Sequence, residues 1–170
     1  MRTSLADLSA GFYNEQQTAA AVRHIAIPDS QLIDDGTYFV VEESSPANRQ
    51  PPTANRILAC GGWSARKKLF TGTSEQESAG GGWLDPVTEA ARIRAMFVDP
   101  AHARRGLGRL ILQASEEAAE RAGFRVFELM ATLPGVPLYR ACGYEEVEPT
   151  TLELPDGTRL GAVLMRRHVK

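Results

Sequence analysis

The stretch Val-Asp-Pro-Ala-His-Ala-Arg-Arg-Gly-Leu-Gly-Arg, residues 98–109, contains a strand end, a glycine-rich turn and a helix start in direct succession. Such a turn directs backbone N–H groups and the positive end of a helix dipole at one point. Arg104, Arg105 and Arg109 add positive charge, which is unfavourable at a helix N-terminus unless an anion is bound there. The stretch therefore predicts a site for a phosphate-bearing ligand.

The common nucleotide-binding motifs do not fit this turn. A dinucleotide fingerprint needs a third glycine where Ile111 stands, and a P-loop needs a Gly-Lys-Ser/Thr ending, which is absent. A tight turn with merely solvated arginines is the structural alternative, but it does not explain why arginines crowd a helix start. Nucleic-acid binding is disfavoured by the net charge of −2 and by the absence of aromatic residues among these arginines.

Several other function classes are excluded by residue types and their spacing. The three histidines have no metal-ligand spacing with each other or with the cysteines, so no metal is expected. No Gly-x-Ser-x-Gly elbow indicates a serine hydrolase. Cys60 and Cys142 are expected to be reduced packing residues. Because no apolar segment has the length of a signal peptide or a membrane span, we expect a cytoplasmic protein without a membrane partner.

Helix signals occur near both ends of the chain and after the glycine turn. Residues 1–27 are predicted to be helical, with Asn14 as the N-cap of a second helix. The helix after the turn has Leu107, Leu110, Ile111, Ala114, Ala118 and Ala122 at helical spacing, with Arg109, Glu116, Glu117, Glu120 and Arg121 on its other face. Gly123 is predicted to end it, and Pro137–Cys142 to form a short helix.

Strand signals lie between these helices. The predicted strands are Tyr38–Glu42, Arg56–Ser64, Arg92–Val98 and Val126–Ala131, followed by a hairpin of Tyr144–Leu154 and Leu160–Arg166 around Asp156-Gly157. In the third strand, Ile93, Ala95 and Phe97 are expected to share one face. The segments 44–55 and 71–82 are polar and predicted to be loops, the second of them mobile.

Two of these segments together carry a family resemblance. The first is Val98-Asp99-Pro100 with Ala103–Gly108, and the second is Leu138–Tyr144, which follows the next strand. In this order and spacing they resemble the GNAT N-acetyltransferase superfamily, over about residues 57–165. The resemblance implies a single α/β (α+β) domain at 1–170, with a coenzyme A (CoA) binding core at about 92–145. Its sheet would be mixed, mostly antiparallel and twisted, with helices on both faces. No convincing first strand precedes the helices, so the first edge strand is in doubt.

The resemblance also implies acetyl-CoA as co-substrate. The pantetheine arm would run beside Met96, Phe97 and Val98, between the third and fourth strands. Thr132 stands where the family often has asparagine, and it could still hydrogen-bond that arm. The backbone that would hold the pyrophosphate is that of Arg104, Arg105, Gly106, Leu107, Gly108 and Arg109. Ala103 departs from the family's arginine or glutamine, which should weaken binding little because backbone groups do most of the holding.

Tyr139 falls on the family's general-acid tyrosine, which serves the leaving thiolate. A phenol of pKa near 10 giving its proton to a thiolate near 8.5 is uphill by about 2 kcal/mol, so a hydrogen bond to the developing thiolate is the more defensible role. An ordinary half-buried aromatic is the structural alternative. A backbone N–H near Phe97 or Val98 would stabilise the oxyanion.

The base that removes the amine proton is harder to identify. An alkylamine near pKa 10.4 is neutral in only about one molecule in 2,500 at pH 7, a deficit of roughly 4.6 kcal/mol. Glu128 and Glu89 are the candidates, although each is better explained as an exposed, ion-pairing glutamate. Arg92 stands where some family members have a glutamate base. Arg94 could bind a substrate carboxylate or form a structural ion pair.

The acceptor is predicted to be the primary amine of a small molecule, in preference to a peptide or protein. The 71–82 segment and the N-terminal helices are its natural walls. Trp83 could line the acceptor site or anchor the loop. Because no base is identified, a non-catalytic acyl-CoA-binding or regulatory module is the alternative function. The oligomeric state stays open, with a homodimer as one option.

Overall fold

The structure, a computed structural model, describes residues 1–43 and 56–169. The predicted loop at 44–55 lies outside this described part. The strands form one sheet of order β1-β2-β3-β4-β6-β5. They are β1 (Tyr38–Glu42), β2 (Ile57–Ser64), β3 (Ala91–Val98), β4 (Val126–Thr132), β5 (Glu145–Glu153) and β6 (Arg159–His168). The helices are α1 (Arg2–Leu8), α2 (Glu15–His24), α3 (Ser30–Asp34), α4 (Ser74–Ala79), α5 (Leu107–Arg121) and α6 (Val136–Ala141).

The sheet is mixed, and helices pack on both of its faces. All neighbouring strands pair antiparallel except β3 and β4, which are parallel. On one face, α5 and α6 bury Leu112 and Tyr139 against Phe127 and other apolar residues of the sheet. On the other face, Leu5 of α1 and further side chains of α2 cover β2, β3 and β6. The predicted fold is thus confirmed, and within the described residues no strand precedes α1, so β1 forms the sheet edge.

Local signals set most element boundaries as predicted. Asn14 begins α2 with a capping box, in which its side chain accepts the Gln17 N–H and Gln17 bonds back to the Asn14 N–H. Gly123 follows α5 with a φ of +98°, the left-handed geometry that ends a helix. In the β5–β6 turn, Asp156 Oδ1 accepts the Thr158 N–H at 3.0 Å. Cys60 is buried and Cys142 partly buried, and each has a free thiol.

The expected facing of β3 is wrong because the strand contains a bulge. Ala95 has a φ of +57°, and the register with β2 shifts between Cys60 and Gly62. An extra residue in one strand inverts the alternation beyond it. Consequently Ile93 packs into the core beneath α5, whereas Phe97 packs on the opposite face with α1 and α2.

The buried face of α5 also differs from the expected one. Leu110 is 53 % exposed, whereas Glu116 is only 6 % exposed. Glu116 is stabilised there by an ion pair with Arg167 of β6 and by a 2.9 Å hydrogen bond from the Tyr144 hydroxyl. These partners are remote in sequence, so helical periodicity could not indicate them. The face towards the sheet contains Gly108, Ile111, Leu112, Ser115, Glu116 and Ala119.

The segment at 71–82 contains a helix rather than an uninterrupted loop. Thr73 caps α4 by accepting the Gln76 N–H, and Glu75 and Glu77 lie in the first turn, where carboxylates are favourable. Glu77 also forms an ion pair with Lys68, whose Nζ lies 2.7 Å away. These local interactions explain why a low-complexity sequence is helical here.

Arg94 forms a structural ion pair, one of the two roles considered for it. Its Nε donates to Asp29 Oδ2 at 2.7 Å, and both side chains are almost completely buried. The same guanidinium donates to the Lys68 carbonyl at 2.6 Å. Burial alone would raise the pKa of Asp29, but the hydrogen bond and charge of Arg94 lower it overall. The pair fastens α3 to the middle of β3.

Candidate active site

The parallel strands β3 and β4 pair only at their beginnings and then diverge. Their register comprises Ala91 opposite Phe127 and Arg92 opposite Glu128, and no pairing continues towards Val98 and Thr132. We call the gap between these two strands, from Ile93 to Val98 on one side, the splay. Such a gap exposes backbone groups that a strand would otherwise use.

The backbone of Val98 faces this splay. The Asp99 N–H donates to the Leu58 carbonyl of β2 at 2.7 Å, and Val98 lies opposite Ala59. Because successive residues of an antiparallel strand point their N–H groups to opposite sides, the Val98 N–H is directed away from β2. It is therefore directed into the splay, where the Ser4 hydroxyl accepts it.

The glycine turn lies directly beyond β3 and has the geometry of an anion cradle. Arg104 and Gly106 have φ values of +63° and +84°. Left-handed residues in a turn direct neighbouring N–H groups towards one concavity. Helix α5 then begins at Leu107. The first N–H groups of a helix have no helical acceptor, and here no side-chain cap accepts from them either.

The two glycines of the turn are needed for different reasons. A Cβ at Gly106 would meet nothing within 4 Å, so its positive φ is what favours glycine. A Cβ at Gly108 would lie 3.0 Å from Leu138 Cδ2 and 3.5 Å from Val98 Cγ2. Gly108 thus allows α5, α6 and the end of β3 to meet closely.

The positive charges of the three arginines at the turn are not paired with acidic side chains in the part of the chain that the structure describes. Most other arginines of the described chain form ion pairs, but none of these pairs involves Arg104, Arg105 or Arg109. Arg104, Arg105 and Arg109 are exposed beside the N-terminus of α5. Arg109 also borders a cleft of about 440 Å³ between α5 and α6. This concentration of unpaired cations favours an anion at the turn.

Tyr139 lies on α6, immediately after Leu138, the residue that packs against Gly108. Its ring packs edge-on against Tyr144, with centroids 5.9 Å apart, and a Cβ at Gly135 would lie 3.1 Å from its Cε2. The same Cβ position is 3.8 Å from Thr132 Oγ1, so the structure brings Thr132 and Tyr139 together at the end of β4. Within the described residues, the Tyr139 hydroxyl has no hydrogen-bond partner.

Burial makes Tyr139 a weaker acid. Desolvation, reinforced by Cys142, raises the pKa of its hydroxyl well above the ordinary value near 10. Full proton transfer to a thiolate is therefore less favourable than for an exposed phenol. A hydroxyl without a protein partner, on a largely buried ring, is however a good hydrogen-bond donor to a developing negative charge.

Glu128 does not lie beside Tyr139. It opposes Arg92 at the closed end of the splay, four residues before Thr132, which is about 13 Å along a strand. Its two carboxylate oxygens are bound by Arg92 and by Arg166, the latter at 2.6 Å. A general base must reach its proton directly or through one water, so this placement favours an ion-pairing role.

Glu89 and Trp83 also lie away from the glycine turn. Glu89 Oε2 accepts the Asp85 N–H at 2.8 Å in the turn before β3. Trp83 is 64 % exposed and stacks on the guanidinium of Arg66, 4.1 Å from its ring centroid. Arg66 in turn donates twice to Asp35 at 2.7 Å. Trp83 thus anchors the segment after α4.

Two residues at the splay have no distinguishing sequence signal. Ser4 Oγ accepts the Val98 N–H at 3.2 Å. The Tyr13 hydroxyl donates to the Gly161 carbonyl at 2.6 Å and accepts the Leu133 N–H at 2.9 Å. Both lie in the N-terminal helical region, whose packing on the sheet cannot be inferred from helical periodicity.

Among the described residues, no cluster of His, Cys, Asp or Glu could hold a metal ion, and no helix is long and apolar enough for a bilayer.

The family comparison agrees with this geometry. Residues 34–146 match the model of the acetyltransferase (GNAT) domain, which covers the sheet from β1 to the start of β5 together with the glycine turn. The chain belongs to the GNAT acetyltransferase family. No curated protein matches the sequence.

Solved GNAT structures share the fold of this acetyltransferase-family chain. A GCN5-related N-acetyltransferase from Rhodopseudomonas palustris is 16 % identical with a TM-score of 0.63, over 99 % of this chain and 84 % of the other. The PaiA N-acetyltransferase of Thermoplasma acidophilum, solved in complex with coenzyme A, is 10 % identical with a TM-score of 0.56, over 98 % and 87 %. At these identities the similarity supports the fold.

Proposed function

We propose that this GNAT-family protein transfers the acetyl group of acetyl-CoA to the primary amine of a small molecule. The observation that carries the proposal is the junction of the splay with a turn of unpaired arginines. Few ligands combine a strand-like amide arm with a pyrophosphate, and acetyl-CoA does. The bound coenzyme would supply a thioester as the activated acetyl donor.

The residues present fit such a cofactor. The pyrophosphate would accept from the first N–H groups of α5, and Arg104, Arg105 and Arg109 would balance its charge. The pantetheine arm would lie along Met96 to Val98 inside the splay. Thr132, at the opposite side of the splay, would hydrogen-bond that arm. The cleft between α5 and α6 lies outside this path.

The reaction requires one bond to form and one to break. The amine nitrogen attacks the thioester carbonyl carbon, the carbon–sulfur bond breaks, and the electron pair leaves on sulfur. A backbone N–H near Phe97 or Val98 would stabilise the oxyanion on the way. The Tyr139 hydroxyl would donate a hydrogen bond to the sulfur. The nitrogen, which attacks as the neutral amine, would give up one proton to water, and the thiolate would take one proton from water, so the protons balance.

The amine proton is proposed to leave without a dedicated carboxylate. Glu128 is fixed by two arginines and Glu89 lies before β3, so each could act only through an extended water chain. The protein would then take the neutral amine from solution. In that case log kcat/KM rises with unit slope until the pKa of the free amine. A plateau well below that pKa would instead assign a base on the protein, for which Glu128 and Glu89 stay the candidates.

The acceptor is inferred to be small. The protein is expected to act in the cytoplasm, with a homodimer as one option for its oligomeric state. Helices α1 and α2 cover the side of the sheet opposite α5, and they would form walls of the acceptor site together with the α4 segment. Binding of this kind suits a compact amine.

The test is a thiol-release assay with acetyl-CoA and a panel of small primary amines. Amine-dependent thiol release, with one acetyl group added to the product by mass spectrometry, is the expected result. Acetyl-CoA binding without thiol release over a broad panel would instead favour a non-catalytic acyl-CoA-binding module. Acetylation of peptide amines alone would overturn the small-molecule assignment.

A further inference from the structure

Ser4 of α1 occupies the edge of β3 that faces the splay. Its Oγ lies 3.2 Å from the Val98 nitrogen and accepts its N–H, and Ser4 is only 5 % exposed. Since β2 does not bond this N–H, the hydroxyl of α1 takes the position that a neighbouring strand would use. Helix α1 therefore closes part of the splay.

A strand-like ligand on β3 needs the same N–H. An amide carbonyl at hydrogen-bonding distance, about 2.9 Å from the Val98 nitrogen, would overlap Ser4 Oγ. Rotating the Ser4 side chain is insufficient, because its Cβ is one bond from Oγ and stays with the helix. The first turn of α1 and a ligand paired with Val98 therefore exclude each other.

Helix α2 and the residue Tyr13, just before it, form hydrogen bonds to the other side of the splay. Tyr13 bonds both Gly161 of β6 and the Leu133 N–H just after β4. Gln17 Nε2 donates to the Arg159 carbonyl at 2.9 Å. The helix pair thus bridges the splay, with α1 on β3 and α2 on the β4–β6 side.

The structure offers a hinge and some room for movement of α1 alone. Between the helices, Gly11 has a φ of +83°, and a Cβ there would meet nothing within 4 Å. A cleft of about 180 Å³ borders the first turn, with Met1, Thr3 and Phe97 among its lining residues. Movement of α1 about Gly11 has this space available next to its first turn.

We propose that cofactor pairing with Val98 displaces Ser4 and shifts the first turn of α1. The inference rests on the proposed function. It makes Ser4 a competitor for the cofactor's hydrogen bond.

The first test compares CoA affinity in two variants by calorimetry. Ser4→Ala removes the competing hydroxyl and is expected to lower the Kd for CoA about fivefold, equivalent to about 1 kcal/mol. Ser9→Ala is the matched control, because Ser9 follows the same helix, is fully buried and has a hydroxyl without a partner in the described chain. An unchanged or raised Kd for folded Ser4→Ala would overturn the proposal.

The second test is hydrogen exchange of the wild-type protein with and without CoA. Faster exchange of the α1 amides, with Val98 still protected, is expected on binding. Unchanged or slower exchange throughout α1 would overturn the displacement while leaving the proposed function intact. Absence of CoA binding by the wild-type protein would overturn both proposals.

Discussion

Leu138 of α6 contacts the backbone of Gly108 in the first turn of α5, where a Cβ would come within 3.0 Å of Leu138 Cδ2. Leu138 immediately precedes Tyr139, so the contact sets the position of the tyrosine relative to the glycine turn. The two sequence motifs are thus joined physically at one packing point. The cofactor's two ends, pyrophosphate and thiol, would be positioned by this junction.

Tyr139→Phe is predicted to lower kcat about 100-fold, because the ring still packs while the donor to the leaving sulfur is lost. The Kd for CoA and the melting temperature should stay nearly unchanged. Tyr144→Phe is the control: its hydroxyl bonds Glu116, so its loss should reduce stability but leave kcat within about threefold. Steady-state kinetics of both variants measure these changes in kcat. Equal kcat values for Tyr139→Phe and wild type would contradict a role of Tyr139 in the mechanism.

Replacing both Arg104 and Arg105 by Ala is predicted to raise the Kd for CoA about tenfold and to weaken its salt dependence, since phosphate charge is no longer balanced. Acetyl-pantetheine, which has no pyrophosphate, should be used equally well by variant and wild type. Arg121→Ala, at the other end of α5, is the control and should bind CoA normally. A loss of activity that is equal for both acetyl donors would contradict phosphate binding by these arginines.

Much of this architecture could be predicted from the sequence, because caps, turn residues and the two motifs act locally. Asn14 and Gly123 set helix ends within a few residues of themselves. The bulge at Ala95 could not be predicted, since it depends on the register between two strands. Nor could the burial of Glu116, whose partners Arg167 and Tyr144 are brought near only by the fold. For the same reason the contact between Ser4 and Val98 has no sequence signature.

The buried face of α5 gives a stability prediction that separates the observed packing from simple periodicity. Leu112→Ala should cost about 3 kcal/mol, because this side chain is 1 % exposed and its removal leaves a cavity. Leu110→Ala should change stability by less than about 0.5 kcal/mol, since Leu110 is largely exposed. Denaturant unfolding measures both. Equal destabilisation by the two substitutions would contradict the orientation of the helix.

Asp29→Asn is predicted to destabilise the protein by about 3 kcal/mol at pH 7, because it leaves the buried Arg94 charge without its partner. The pKa of Asp29 is lowered in the folded state, so its contribution is fully present above about pH 4. That contribution is lost as the pH falls through the folded-state value. Unfolding measured from pH 7 to pH 2 should therefore show a smaller acid-side loss for Asp29→Asn than for wild type. Asp34→Asn, at an exposed aspartate, is the control. If Asp29→Asn lost as much unfolding free energy between pH 7 and pH 2 as the wild type, the stabilising role of the Asp29 carboxylate would be refuted.

A crystal structure of the CoA complex would show whether the cofactor lies in the splay with its sulfur at Tyr139. The quantity to measure is the distance from the CoA sulfur to Tyr139 Oη. We expect this distance to be within hydrogen-bonding range. We also expect the pyrophosphate to lie at the N-terminus of α5 and the pantetheine arm to pair with Val98. CoA bound in the cleft between α5 and α6, or a sulfur remote from Tyr139, would contradict it.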